Sequence, residues 1–178
     1  MNPSESLLES LRSRLLARPC KTLITTIAAE AEADKMIFDA LLSLMYNGEH
    51  PLPWRAAWAL EKVAGQCPSL LLGERPRMKA LAMRDDTPGG LLRLLLGILH
   101  HLPEEKDLDV AFFNFLLDKM LDLQTPPGAQ ALAMKMACRQ SKSDNDLHKE
   151  FLSILHNMEL EYYSSGVKSV VHNCQKAK

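Results

Sequence analysis

Apolar residues recur every three or four positions along almost the whole chain, and no stretch alternates apolar and polar residues for long. That period predicts helices rather than strands. Residues 4–17 carry Leu7, Leu8, Leu11 and Leu15 on one stripe, with Ser4 as the expected N-cap and Pro19 as the stop. Residues 20–32 place Leu23, Ile27 and Ala31 at four-residue intervals, and Asp34 is expected to cap a third helix, 34–46, that is apolar almost all round. Its polar stripe is only Asp39, Ser43 and Asn47, so neighbours should cover it on several sides. Asn47-Gly48 closes that helix, Pro53 opens helix 53–66, and Pro68 ends it. Segment 69–84 reads as a short helix or two pieces, because Gly73 and Pro76 interrupt it. The remaining segments are 88–102, 105–123, 127–140, 145–162 and 166–176, the last with Val167, Val170, Val171 and Cys174 as its one apolar face.

The punctuation between these helices repeats. Thr87-Pro88-Gly89-Gly90 returns as Thr125-Pro126-Pro127-Gly128 and is echoed by Tyr163-Ser164-Ser165-Gly166, each 38 residues after the one before. Pro and Gly there stop one helix and start the next, and a fixed period of this length marks a stacked repeat. The expected organisation is one domain over residues 1–178: two N-terminal capping helices in 1–33, then four divergent helix pairs in 34–177. Ten helices would pair as five antiparallel hairpins, each too small to bury its own face, with the turns lined up along one edge. If Gly128 is at positive φ in its turn, a β-branched residue there should destabilise the stack.

Composition narrows the class without naming a chemistry. Many Leu and Ala, nine Met and few aromatic residues make the chain all-α. With 21 basic and 22 acidic residues the formal net charge is −1, which gives no overall field toward nucleic acid or an anionic membrane. Charged residues among the leucines of 1–16 exclude a signal peptide, and no run reaches the length of a membrane span. Cys20, Cys67, Cys138 and Cys174 lie far apart without a CxxC pair, so buried free thiols in a reducing cytoplasm are expected. The charged first helix and the polar far side of the last, Lys168, Asn173, Gln175 and Lys176, look like solvated caps and predict a monomer.

A family likeness rests on particular residues. Asn47 followed by Pro53-Trp54-Arg55-Ala56-Ala57-Trp58-Ala59-Leu60 resembles the second half of a HEAT repeat, in which Asp or Asn sits in the turn and Arg opens an Ala-rich second helix. Asp85 or Asp86 before Leu91-Leu92-Arg93, Asp122 before Ala129 to Ala133, and Glu161 before Val167-Lys168 match in part, with Gln130 where the pattern wants a base. The likeness covers residues 34–177 and is to HEAT and Armadillo repeat proteins, small bacterial helical-repeat proteins among them. It implies a right-handed α-α superhelix whose concave face is lined by the second helix of each pair.

The candidate binding residues lie on those second helices. A helical wheel of 53–67 puts Ala56, Ala57, Leu60, Val63, Ala64 and Cys67 on one face and leaves Trp54, Trp58, Glu61 and Gly65 on the other. The two tryptophans are either an aromatic platform for a peptide or a base, or core rings covered by a neighbouring repeat. Arg55, Lys62, Arg93, His100, Lys135, Arg139, Lys168 and Lys176 recur as an interrupted basic stripe, read as phosphate contacts or as ordinary solvated faces. His100-His101 is expected at a helix end rather than on a metal, and Asp144-Asn145-Asp146 as a cap. No nucleophile elbow or phosphate-cradling loop occurs, and neither cofactor nor metal is expected. These residues predict a non-enzymatic scaffold that grips a protein or peptide through Trp54, Arg55, Trp58, Lys62, Arg93 and His100. The alternative is a nucleic-acid-binding or repair protein similar to the alkylpurine DNA glycosylases, which share this architecture but are expected to be basic.

Overall fold

A computed structural model describes residues 3–18 and 20–176. Among them are ten α-helices and no strand: α1 (Pro3–Leu16), α2 (Lys21–Ala33), α3 (Lys35–Asn47), α4 (Leu52–Gln66), α5 (Arg75–Ala82), α6 (Gly89–His101), α7 (Val110–Leu121), α8 (Pro127–Ser141), α9 (Asn145–His156) and α10 (Ser165–Lys176). Short 3₁₀ turns fill Pro68–Glu74 and Leu160–Tyr162. No described helix is long and apolar enough to cross a membrane. The stop expected at Pro19 and the side chain of Ser4 lie outside what is described.

Local chemistry sets the helix ends. Asp34 accepts a hydrogen bond from the Met36 amide at 2.8 Å, and Asp144 accepts from the amides of Asp146 and Leu147, so both caps act as their positions suggest. Cys20 is exposed, contrary to the expectation of burial, and caps α2 by accepting from the Leu23 amide through Sγ. Two helices are shorter than their apolar pattern. α7 begins at Val110 instead of 105, because Asp109 caps it through the Phe112 amide and, with Glu105, is bound by Lys79. α9 ends at His156, where Asn157 turns its amide back to Ser153 and Ile154.

The helices form two compact units, residues 1–78 with 97–102 and residues 79–96 with 103–178. In the first, α4 is the hub and packs against α1, α2, α3 and the 3₁₀ turn, while α1 also packs on α3. Phe38, Leu41 and Met45 of α3 and Ala56, Leu60 and Val63 of α4 are buried there. In the second, α8 is the hub and packs against α7, α9 and α10. Phe112, Leu116, Ala133, Ala137, Phe151 and Val171 are among its buried residues.

The repeated turns meet within the second unit. A Cβ added to Gly89 would stand 2.6 Å from Pro126 Cγ, so the first turn packs directly on the second. Tyr163, in the third, donates its hydroxyl to the Leu121 carbonyl at 3.0 Å. Gly128 is not at positive φ, since no described glycine is, and a Cβ there would meet only the flexible Arg93 chain at 3.2 Å. Close approach of neighbouring turns, not a left-handed backbone, explains a glycine at position 89.

Candidate functional site

Helix α4 starts at Leu52 with no side-chain cap, and Pro53 stands in its first turn, where the missing amide costs nothing. Its small inner residues Ala56, Ala57 and Ala64 are fully buried, which seats the helix deeply, leaves Trp54, Trp58 and Lys62 only part-covered and points Glu61 and Gly65 at the end of α6. Trp54 and Trp58 are each half-buried, with ring centroids 5.6 Å apart and planes tilted by 41°. They are neither sealed core nor a bare platform: each ring packs on its neighbour and keeps an accessible part. Lys62 is half-exposed beside them in sequence.

Arg55 has a different task. Its Nη1 donates to the carbonyls of Leu15 and of Ala17, the latter at 2.9 Å, and so satisfies acceptors left open where α1 ends. His100 is half-buried and His101 exposed, with centroids 6.3 Å apart. The His101 ring lies over Gly65, 3.8 Å from where a Cβ would be, and the Glu61 carboxylate fills the space beside Gly97. Glu61 with Gly97 and Gly65 with His101 are both offset by 36 residues, so α4 and the end of α6 run the same way in register. Arg93 belongs to the second unit, where its side chain covers Gly128. The structure therefore groups Trp54, Arg55, Trp58, Lys62 and His100 in the first unit, with Arg55 engaged internally and Arg93 in the second.

A second feature escaped the sequence. Leu121, Leu123, Ile154, Met158, Tyr162 and Tyr163 line a cleft of about 480 Å³ in the second unit, with Glu159 as its charged residue. Leu123 is 53% exposed and Tyr162 63%. Between Leu121 and Leu123, Asp122 accepts from the Gln124 amide at 2.9 Å and the Thr125 hydroxyl at 2.8 Å, in the turn that ends α7 after Leu121. Burial and the Asp122 and Glu159 carboxylates push the Tyr163 phenol up, so it stays a donor to Leu121. Met158 sits on the apolar stripe of a helix continued to 162, and it reaches the cleft only because α9 stops at His156. No sequence signal marked the opening beyond the unbalanced pair Leu121 and Leu123 around Asp122.

Among the described residues no three His, Cys, Asp or Glu side chains converge as a metal site would need. The family model of the HEAT repeat domain matches residues 11–178. No curated protein and no solved structure gives a significant match.

Proposed function

The chain belongs to the HEAT repeat domain family, and from that premise we propose that it is a non-enzymatic scaffold that binds a peptide or a segment of another protein. The apolar cleft of the second unit carries this reading. Contiguous exposed apolar side chains on a water-facing surface mark interaction sites. A volume of about 480 Å³ suits two or three apolar side chains of an extended segment. Tyr162 and Leu123 are the anchors, and the Asn157 side chain beside them offers donors and an acceptor to a backbone. The outward stripe of α4 is proposed as a separate contact surface. There Trp54, Trp58 and Lys62 are available to a partner, with His100 at the end of α6. Arg55 holds α1 and Arg93 packs on Gly128.

Selection of random peptides on the immobilised chain tests this. The selected peptides should be rich in Leu, Ile, Phe or Tyr, and Leu123→Asp together with Tyr162→Ala should abolish their binding while Trp58→Ala leaves it intact. Peptides indifferent to the cleft variants but lost with Trp58→Ala would move the site to α4. Titration with duplex DNA and RNA, read by emission from Trp54 and Trp58, covers the nucleic-acid reading. Quenching that weakens steeply with salt would replace the scaffold reading with that one.

A further inference from the structure

Two of the cysteines that the sequence left scattered meet. Cys138 lies on the buried side of α8, and Cys174 on the apolar face of α10 with Val167, Val170 and Val171. The two helices pack together and bring both cysteines to one cavity. A cavity of about 230 Å³ opens on them, lined by Lys135, Cys138, Arg139, Lys142, Asn173 and Cys174. Each thiol is 6% exposed, so the cavity is the way in. Arg139 is paired with Glu104 at 3.1 Å. Lys135 and Lys142 are exposed and form no ion pair among the described residues. The pocket thus joins a dithiol floor to a cationic rim.

We propose that Cys138 and Cys174 form a dithiol site that reduces a small anionic disulfide, with Lys135 and Lys142 holding its carboxylates. The rim recruits negative charge toward the cavity, as clefts lined by one sign of charge do. The hydrogen bond from Cys174 favours the Cys138 thiolate and, against the cost of burial, draws Cys138 down to about 7, with Lys142 adding to the effect. The same bond and burial push Cys174 up. Cys138 is therefore the attacking sulfur and Cys174 the resolving one.

The Cys138 thiolate attacks one sulfur of the bound disulfide, forming a mixed disulfide and expelling the first thiolate. Cys174 then loses its proton to solvent and attacks Cys138 Sγ, forming the Cys138–Cys174 disulfide and expelling the second thiolate. The protein gives up two electrons and two protons, and the disulfide becomes two thiols.

The test uses the full chain with Cys20→Ser and Cys67→Ser, so that the pair alone reacts, and dianionic dithiobis(nitrobenzoate) as probe. The expected result is release of two chromophoric thiols per chain, loss of two hydrogens from the protein mass and no retained adduct. Cys174→Ser should release one thiol and keep one adduct. Lys135→Gln with Lys142→Gln should slow this reagent about fivefold or more, while neutral dithiodipyridine changes by less than about twofold. Circular dichroism confirms that each variant is folded. Thiols that react only in denaturant would overturn the proposal, as would two stable adducts on the parent or equal slowing of both reagents by the lysine variants.

Discussion

The two units tie their helices together by different chemistry. In the first, α4 reaches outward: Arg55 extends a permanent charge to the carbonyls of Leu15 and Ala17, 40 and 38 residues away in sequence. In the second, the corresponding place on α8 holds Gln130, 3% exposed, whose amide donates to the Asp122 carbonyl only eight residues back, at 2.9 Å. The long tie there belongs to Lys79, 7% exposed, which binds Glu105 and Asp109 and lies 4.9 Å from the centre of the Phe112 ring. A long cation can close the end of a distant helix, whereas a short amide can only close its own turn. Replacing the base of a HEAT turn therefore moves the inter-helix tie elsewhere in the unit rather than removing it.

The contrast can be broken most forcefully at Asp109. Asp109→Ala removes a cap and one of the two partners of a buried ammonium, and should cost about 2 to 3 kcal/mol after discounting for the exposed carboxylate. Asp109→Asn keeps the cap and should cost about 1 kcal/mol. Urea unfolding measures both, and hydrogen exchange should show the loss centred on the α7 amides. No cost for Asp109→Asn would mean that the Lys79 tie contributes nothing, and equal costs for the two variants that the cap does not.

Arg55→Met comes next, at about 2 kcal/mol, since it deprives helix-end carbonyls of a charged donor. Gln130→Met should cost about 1 kcal/mol, the worth of a neutral bond. A larger effect at Gln130 than at Arg55 would reverse the contrast between the units.

The acid limb sharpens it further. Hydrogen bonds from Lys79 and the Phe112 amide hold the Asp109 carboxyl below its ordinary 3.8, against the opposing effect of burial. Such a group binds fewer protons folded than unfolded. Its stabilisation is full above the unfolded value and is lost as pH falls through the depressed one. The α7 amides should lose protection in that window, and Asp109→Asn should flatten the loss.

The smallest effects separate two glycines of the repeated turn. Gly89→Ala forces a Cβ against Pro126 and should destabilise by about 1 kcal/mol. Gly128→Ala meets only the movable Arg93 chain, inside a helix, and should stabilise by about 0.5 kcal/mol. Thermal melts followed by circular dichroism distinguish the signs.

The sequence by itself determined the helices, their approximate order and their repeat, because a 3.6-residue apolar period and Pro-Gly stops act through neighbours along the chain. It also placed the Trp54 and Trp58 stripe, since a face of Ala56, Ala57, Leu60, Val63 and Ala64 leaves one direction for everything else. The early end of α9 and the late start of α7 were not legible. Asn157 is a weak stop in a pattern that continues to 162, and Asp109 caps α7 through the Phe112 amide while Lys79, 30 residues away, binds its other oxygen. The cleft around Tyr162 follows from the early end of α9 and from the end of α7 at Leu121, and the first of these was invisible in the sequence. Only the tertiary structure decided that Arg55 serves α1 and that Cys138 and Cys174, 36 residues apart, share one cavity. Periodicity fixes which face of a helix is apolar, but which faces meet depends on packing that sums contacts over the whole unit.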